Sequence, residues 1–180
     1  GDKSFCAGFD VKELGSRPRE AFKDDFWKVD SASTGYAAGL GLNIWKPIVG
    51  AINGYCLGIG LTLASACDIR LASPNATFGF PEVRVGIPTV VGAVIMPRRV
   101  SLGAAAHLLL TGESISAEEA YRLGLVNKVV PQSELLDAAM NTAQQLCEVG
   151  PLAVRVTKEV MMRGMTLPFD DAVRLGECLR

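Results

Sequence analysis

Glu82 stands in the segment Phe78-Gly79-Phe80-Pro81-Glu82-Val83-Arg84-Val85-Gly86-Ile87-Pro88, a single carboxylate framed largely by apolar residues. A carboxyl in such surroundings loses solvation, which favours its protonated form and suits it to moving protons near neutrality. Two other short segments combine small residues with tight turns. Phe5-Cys6-Ala7-Gly8-Phe9-Asp10 ends a strand, and Ala7-Gly8 lets a ligand approach the main chain closely. Asn53-Gly54-Tyr55-Cys56-Leu57-Gly58-Ile59-Gly60 leads from a strand into an apolar helix. The free N–H groups and dipole of a helix start suit a negative charge. The chemistry on offer is proton transfer by one carboxyl beside main-chain donors that can hold negative charge.

Each feature also has a plainer reading. Gly58 and Gly60 would equally permit close helix–strand packing, and Glu82 after Pro81 fits the solvated first turn of a helix. Asp10 and Asp68 border secondary elements and read as turn or cap residues. His107, the only histidine, falls inside the helical segment Leu102–Leu110 without a partner motif and reads as structural. Met161, Met162 and Met165 read as core filler. Cys6 and Cys56 lie in the interesting turns, but no His or cation stands nearby in sequence to activate either thiol.

The elements that must position these groups are mixed. Phe22, Phe26 and Val29 mark an amphipathic helix over residues 18–33, and a Gly/Ala-rich stretch runs on to Trp45. Ile48–Ile52 suits a strand buried on both faces, Gly58–Ala66 a buried helix, and Ile69–Ala72 a second strand. Ser101 caps a helix ending near Thr111-Gly112, and Ser116-x-x-Glu119 is a capping box for a helix stopped at Gly124. Val126–Val130 reads as a short strand. Three helices follow: one over 133–149, one opened by Pro151 and one near Pro168. This is an α/β chain, strand–helix–strand first and helices last, with a subdivision near residue 112.

Composition narrows the function classes. The 180 residues are 49 % hydrophobic and 21 % charged, with net charge −1. The mean hydropathy is +0.26. Such a chain has ample material for a core, and its apolar surplus points to surface buried against a partner. Balanced charge without a basic run argues against nucleic acid or an anionic membrane as a partner, and no apolar run is long enough to span a bilayer. Cysteines at 6, 56, 67, 147 and 178 form no Cys-x-x-Cys pair. That excludes a disulfide framework and a zinc-ligand pattern, leaves no metal site to expect, and fits a reducing compartment.

Taken together and in order, the segments resemble the crotonase superfamily of enoyl-CoA hydratases and isomerases. The resemblance rests on Ser4–Glu13, Lys46–Gly58, Cys67–Ala72, Phe78–Val83, Leu109–Ala117 and Ala120–Val126, which as a set are specific to that family. It implies a ββα spiral core over residues 1–112 and a C-terminal helical trimerisation region over 113–180, with assembly as a homotrimer or hexamer. It also implies that the chain is a fragment, with earlier spiral turns before Gly1 and more helix after Arg180. The substrate would be an acyl-CoA thioester, coenzyme A being part of the substrate and no prosthetic group being needed. By position, the amides of Ala7 and Ile59 would hold the thioester oxygen, and Cys6, Ala7, Phe9, Asp10, Val11 and Gly58 would line the CoA site. The thiols and family habit suggest the cytoplasm, or mitochondria or peroxisomes in a eukaryote.

Two positions depart from the family pattern. Ile59 stands where glycine is usual, which adds a side chain beside the oxyanion site. Thr62 stands where hydratases usually carry a second glutamate, and a threonine cannot accept a proton at ordinary pH. Glu82 alone still permits a proton to leave one carbon and return to another, which favours double-bond isomerisation, although hydration is the family's commonest activity. The alternatives are a non-catalytic acyl-CoA-binding or scaffold homologue and, disfavoured by charge, an RNA-binding relative.

Overall fold

The computed structural model describes residues 3–9 and 44–180. The helix expected over 18–33, together with Asp10 and Val11, lies outside the described residues.

The strands are β1 (Ser4–Cys6), β2 (Val49–Ile52), β3 (Tyr55–Leu57), β4 (Ile69–Ala72), β5 (Thr77–Gly79), β6 (Ile115–Ser116) and β7 (Lys128–Val129). The α-helices are α1 (Ile59–Ala66), α2 (Val91–Ile95), α3 (Leu102–Thr111), α4 (Ala117–Arg122), α5 (Leu135–Cys147), α6 (Pro151–Gly164) and α7 (Phe169–Leu179). One sheet runs β1-β3-β5-β6 and the other β2-β4-β7. Each turn of the chain gives one strand to each sheet, and the link Asn53-Gly54 carries the chain from β2 to β3. Successive turns stack in parallel register, Val49 opposite Ile69 in one sheet and Cys56 opposite Phe78 in the other. This is the ββα spiral of the crotonase fold. Residue 112 falls between α3 and β6, and beyond it β6 pairs antiparallel with β5 while β7 extends the other sheet.

Burial explains why the spiral holds. Ile52, Cys56, Leu61, Phe78, Phe80, Met96 and Leu108 fill one core of the spiral. Val49, Ala51 and Ile69 pack on a second cluster formed by Leu71, Val130, Leu135 and Ala139, in which α5 covers the other face of β2 and β4. Strands buried on both faces read as continuous apolar runs, which is how β2 appears in the sequence, whereas β4 carries one charged residue, Arg70, whose side chain is buried. Strands β3 and β5 escape such a reading because each has only three residues and is interrupted by glycine or polar neighbours.

Local signals mostly act as expected. Ser101 Oγ accepts the Ala104 N–H at 3.3 Å, and Gly112 closes α3 in the left-handed conformation. Ser116 Oγ accepts the Glu119 N–H at 3.2 Å, but the reciprocal half of the capping box is replaced. The Glu119 carboxylate instead accepts from Nε and Nη2 of Arg122, each at 2.6 Å, because one turn of helix brings that guanidinium alongside. Helix α6 opens on Pro151, and α5 begins at Leu135 after a 3-10 turn over Gln132–Glu134.

Asp68 does more than border a strand. Its Oδ2 accepts the Ile48 N–H at 2.7 Å and Lys158 Nζ at 2.7 Å, and Lys158 also donates to the Lys46 carbonyl at 2.9 Å. Arg163 lies 5.1 Å over the Trp45 ring. These contacts fasten α6 to the start of β2. Among the described residues no helix is long and apolar enough to cross a membrane.

Candidate active site

The site begins where β3 gives way to α1. Gly58 takes φ 57° and ψ −121°, a conformation that side-chain-bearing residues rarely adopt, and its N–H donates to the Gly79 carbonyl at 2.9 Å. That bond fixes the turn to the end of the neighbouring strand β5. Ile59 then opens α1, so its N–H is one of the first-turn donors without an intrahelical acceptor. Gly60 lies directly on the end of β1: a Cβ there would come within 2.1 Å of the Cys6 carbonyl oxygen. The pairing of Cys6 with Cys56 brings the two turns side by side. Ala7 and Gly8 follow immediately, and Phe9 remains 57 % exposed.

Glu82 comes to the same place from the other side. It lies in the 3-10 helix Pro81–Val85, which Pro81 opens and Gly86 ends. Position alone therefore matches the plainer reading of a first-turn residue. The side chain does not. Its carboxyl packs on Gly58, and Oε2 is buried without a hydrogen-bond partner. Buried polar oxygens in folded proteins are nearly always paired, so an oxygen without a protein partner is one that a ligand or a water can engage.

Thr62 sits one turn along α1 and is 3 % exposed. Its N–H donates to the Gly58 carbonyl at 3.1 Å, and its hydroxyl lies 3.4 Å from the same oxygen. Glu82 and Thr62 thus both abut Gly58. Thr89, which no sequence signal distinguishes as polar core, also carries a buried hydroxyl without a partner. Gly79 is a second residue that motif reading alone does not single out. Its carbonyl holds the Gly58 turn, and its lack of a side chain leaves room for Ser114, whose Oγ would be 2.6 Å from a Cβ.

Other chemistries are excluded by placement. Cys56 is fully buried, and burial, reinforced by the Cys6 and Cys67 thiols, pushes its thiol far above the ordinary range. It stays protonated and is no nucleophile. His107 is solvent-exposed on α3, 3.3 Å from Glu113. Among the described residues no three His, Cys, Asp or Glu side chains gather as a metal-ligand set.

Known proteins with similar sequences and structures agree with this architecture. The enoyl-CoA hydratase/isomerase family profile matches residues 1–177. An (E)-benzylidenesuccinyl-CoA hydratase of Thauera aromatica is 40 % identical over 180 residues, covering 99 % of this chain and 68 % of that protein. A short-chain-enoyl-CoA hydratase of Clostridium acetobutylicum is 40 % identical over 99 % of this chain and 69 % of its own length. An enoyl-CoA hydratase structure from Bacillus anthracis superposes with TM-score 0.89 at 32 % identity, over 99 % of this chain and 68 % of the other. The chain thus spans about two thirds of the length of these relatives. From its motifs, its paired sheets and these matches, the chain belongs to the enoyl-CoA hydratase/isomerase family of enzymes, within the crotonase superfamily.

Proposed function

We propose that this protein moves a proton between carbons of an acyl-CoA thioester through an enolate, with Glu82 as the general acid and base. The observation that carries this reading is the Glu82 carboxyl lying against Gly58, the residue just before the Ile59 amide. The amides of Ala7 and Ile59 would receive the thioester oxygen as its charge builds. Helix α1 adds its dipole to the second, and one such donor typically supplies about 2.7–4 kcal/mol of transition-state stabilisation. Cys6, Ala7, Phe9, Asp10, Val11 and Gly58 are the positions that would meet coenzyme A. Trimer formation through the C-terminal helices belongs to the same reading.

Isomerisation uses these groups most directly. The Glu82 carboxylate takes a proton from C2 of a 3-enoyl-CoA, and the electron pair left behind delocalises onto the thioester oxygen between the two amides. The protonated Glu82 then returns the proton to C4. The double bond moves from C3–C4 to C2–C3, and Glu82 recovers its charge. Thr62 favours this route, since its hydroxyl is buried beside the Gly58 carbonyl and cannot serve as the second acid–base group of a hydration.

Hydration is the second reading, supported by similar proteins that are hydratases and dehydratases. Assay of matched 2-enoyl-CoA and 3-enoyl-CoA substrates separates the two. Turnover of the 3-enoyl compound to its 2-enoyl isomer supports isomerisation, while addition of water alone supports hydration. Tight binding of acyl-CoA without either reaction would turn the assignment toward a non-catalytic homologue.

A further inference from the structure

The segment Cys67-Asp68-Ile69-Arg70-Leu71-Ala72 follows α1 and has no part in the chemistry above. Its role emerges from the carbonyl end of that helix. A helix leaves its last carbonyls without partners, and in α1 these find partners from outside the helix. Cys67 supplies two donors, its thiol to Leu63 at 3.6 Å and its N–H to Ala64 at 3.1 Å. Arg99, in the turn after α2, donates Nε to the Ser65 carbonyl at 3.0 Å. Arg70, on β4, donates Nη1 to the carbonyl of Cys67, the C-cap residue, and Nε to the Leu125 carbonyl at 2.5 Å.

Two features make this more than ordinary capping. Neither guanidinium makes a direct ion pair among the described residues, but both lie in the field of the Asp68 carboxylate, and Arg70 is only 5 % exposed. Burying a cation is costly, and the carbonyl end of a helix offsets part of that cost alongside Asp68. The amino end of α1, by contrast, has neither a side-chain cap nor an acidic residue in its first turn. Its aim depends on backbone contacts at Gly58 and Gly60 and on whatever holds the far end. Burial lowers both arginines from the ordinary value and the charge of Arg99 lowers Arg70 further, while the Asp68 carboxylate acts the other way on both.

We infer that Arg70 and Arg99 are positioning residues for the reaction: they clamp the carbonyl end of α1 and thereby fix the direction of the Ile59 N–H at its other end. The inference rests on the assignment of Ile59 as an oxyanion donor. An eight-residue helix is a rigid lever about 12 Å long, so tilt at one end displaces the other. Preorganised donors act through sub-ångström aim, and a misplacement of about 1 Å can cost about 100-fold in rate.

The test uses the full chain and two readouts. One is kcat and KM with the better of the two enoyl-CoA substrates. The other is the absorption of a bound conjugated dienoyl-CoA, whose band moves to longer wavelength as its carbonyl is polarised. Arg99→Met is expected to lower kcat about tenfold with KM changed less than about twofold, and to shrink the shift. Arg99→Lys, which restores a charged donor, should recover most of both. Wild-type kcat and wild-type shift in Arg99→Met would overturn the clamp, as would a loss explained by the unfolded fraction alone. Should Arg99→Met fail to fold, Arg99→Gln is measured against the same expectations. A wild-type protein that leaves the bound chromophore unshifted defeats the oxyanion assignment itself, a result distinct from failure of the clamp.

Discussion

Glu82 Oε1 lies so close to Gly58 that a Cβ added to the glycine would stand 2.9 Å from it. The absence of a side chain at 58 is therefore what lets a carboxyl come down onto the start of α1. The same glycine bends the chain with positive φ and gives its N–H to Gly79. One residue thus seats the acid, turns the main chain and precedes the amide proposed to hold the oxyanion.

Replacing Glu82 with glutamine tests the acid directly. Glutamine keeps the size of the side chain but cannot exchange a proton at neutral pH. General acid–base groups contribute about 10²–10⁴-fold, so Glu82→Gln should lower kcat by at least about 100-fold. Acyl-CoA affinity, measured by calorimetry, should stay within a few-fold. Undiminished turnover would remove Glu82 from the mechanism.

Gly58→Ala separates space from charge. The new methyl would collide with the carboxyl and would adopt φ near 57°, which costs about 1 kcal/mol or more for a non-glycine residue. The expected result is a modest fall in urea midpoint together with a fall in kcat of about tenfold or more as the carboxyl is displaced. A variant that loses stability but keeps wild-type kcat would show that the Glu82–Gly58 contact serves packing only.

Much of this site is legible in the sequence because the informative residues are local. Pro81-Glu82 opens a 3-10 turn where the motif places it, and Gly58-Ile59-Gly60 opens α1. What local patterns leave out are contacts between turns of the spiral. Nothing in the spacing of Gly60 reveals that the Cys6 carbonyl fills the space of its missing side chain, since the two lie 54 positions apart. Strands β3 and β5 are legible only as pairs, because three residues each cannot show a period. Asp68 reads as a turn residue and is one, yet its partner Lys158 lies 90 positions away.

That distant pair makes a stability prediction. The Lys158 and Asp68 side chains are 11 % and 12 % exposed, so the ion pair is nearly dry. Lys158→Met leaves the Asp68 carboxylate buried with the Ile48 N–H as its remaining direct hydrogen bond among the described residues, and removal of one partner from a buried pair costs about 3 kcal/mol. The pair between Arg174 and Asp171 on α7 is 79 % and 54 % exposed, so Arg174→Met should cost less than about 0.5 kcal/mol. Equal losses in the two variants, read from urea unfolding, would show that Lys158 does not fasten α6 to the core.

The buried thiols make stability fall as pH turns alkaline. Burial raises Cys56 and Cys67 above the ordinary thiol value of 9.0, so the native chain keeps protons that the unfolded chain releases. Below that value both states hold the protons and stability is unaffected. As pH rises past it the unfolded state binds fewer protons, and unfolding free energy falls by up to about 1.4 kcal/mol per pH unit per thiol. Lysines and tyrosines also titrate near pH 10, so the informative quantity is the difference in slope between wild type and Cys56→Ala. Removing the methylene-bound sulfur shifts the whole curve down through lost packing, but that offset does not depend on pH. The variant should therefore show a shallower decline between about pH 8.5 and pH 10.5. Parallel curves would mean that Cys56 ionises as readily in the folded chain as in the unfolded one, contrary to its complete burial.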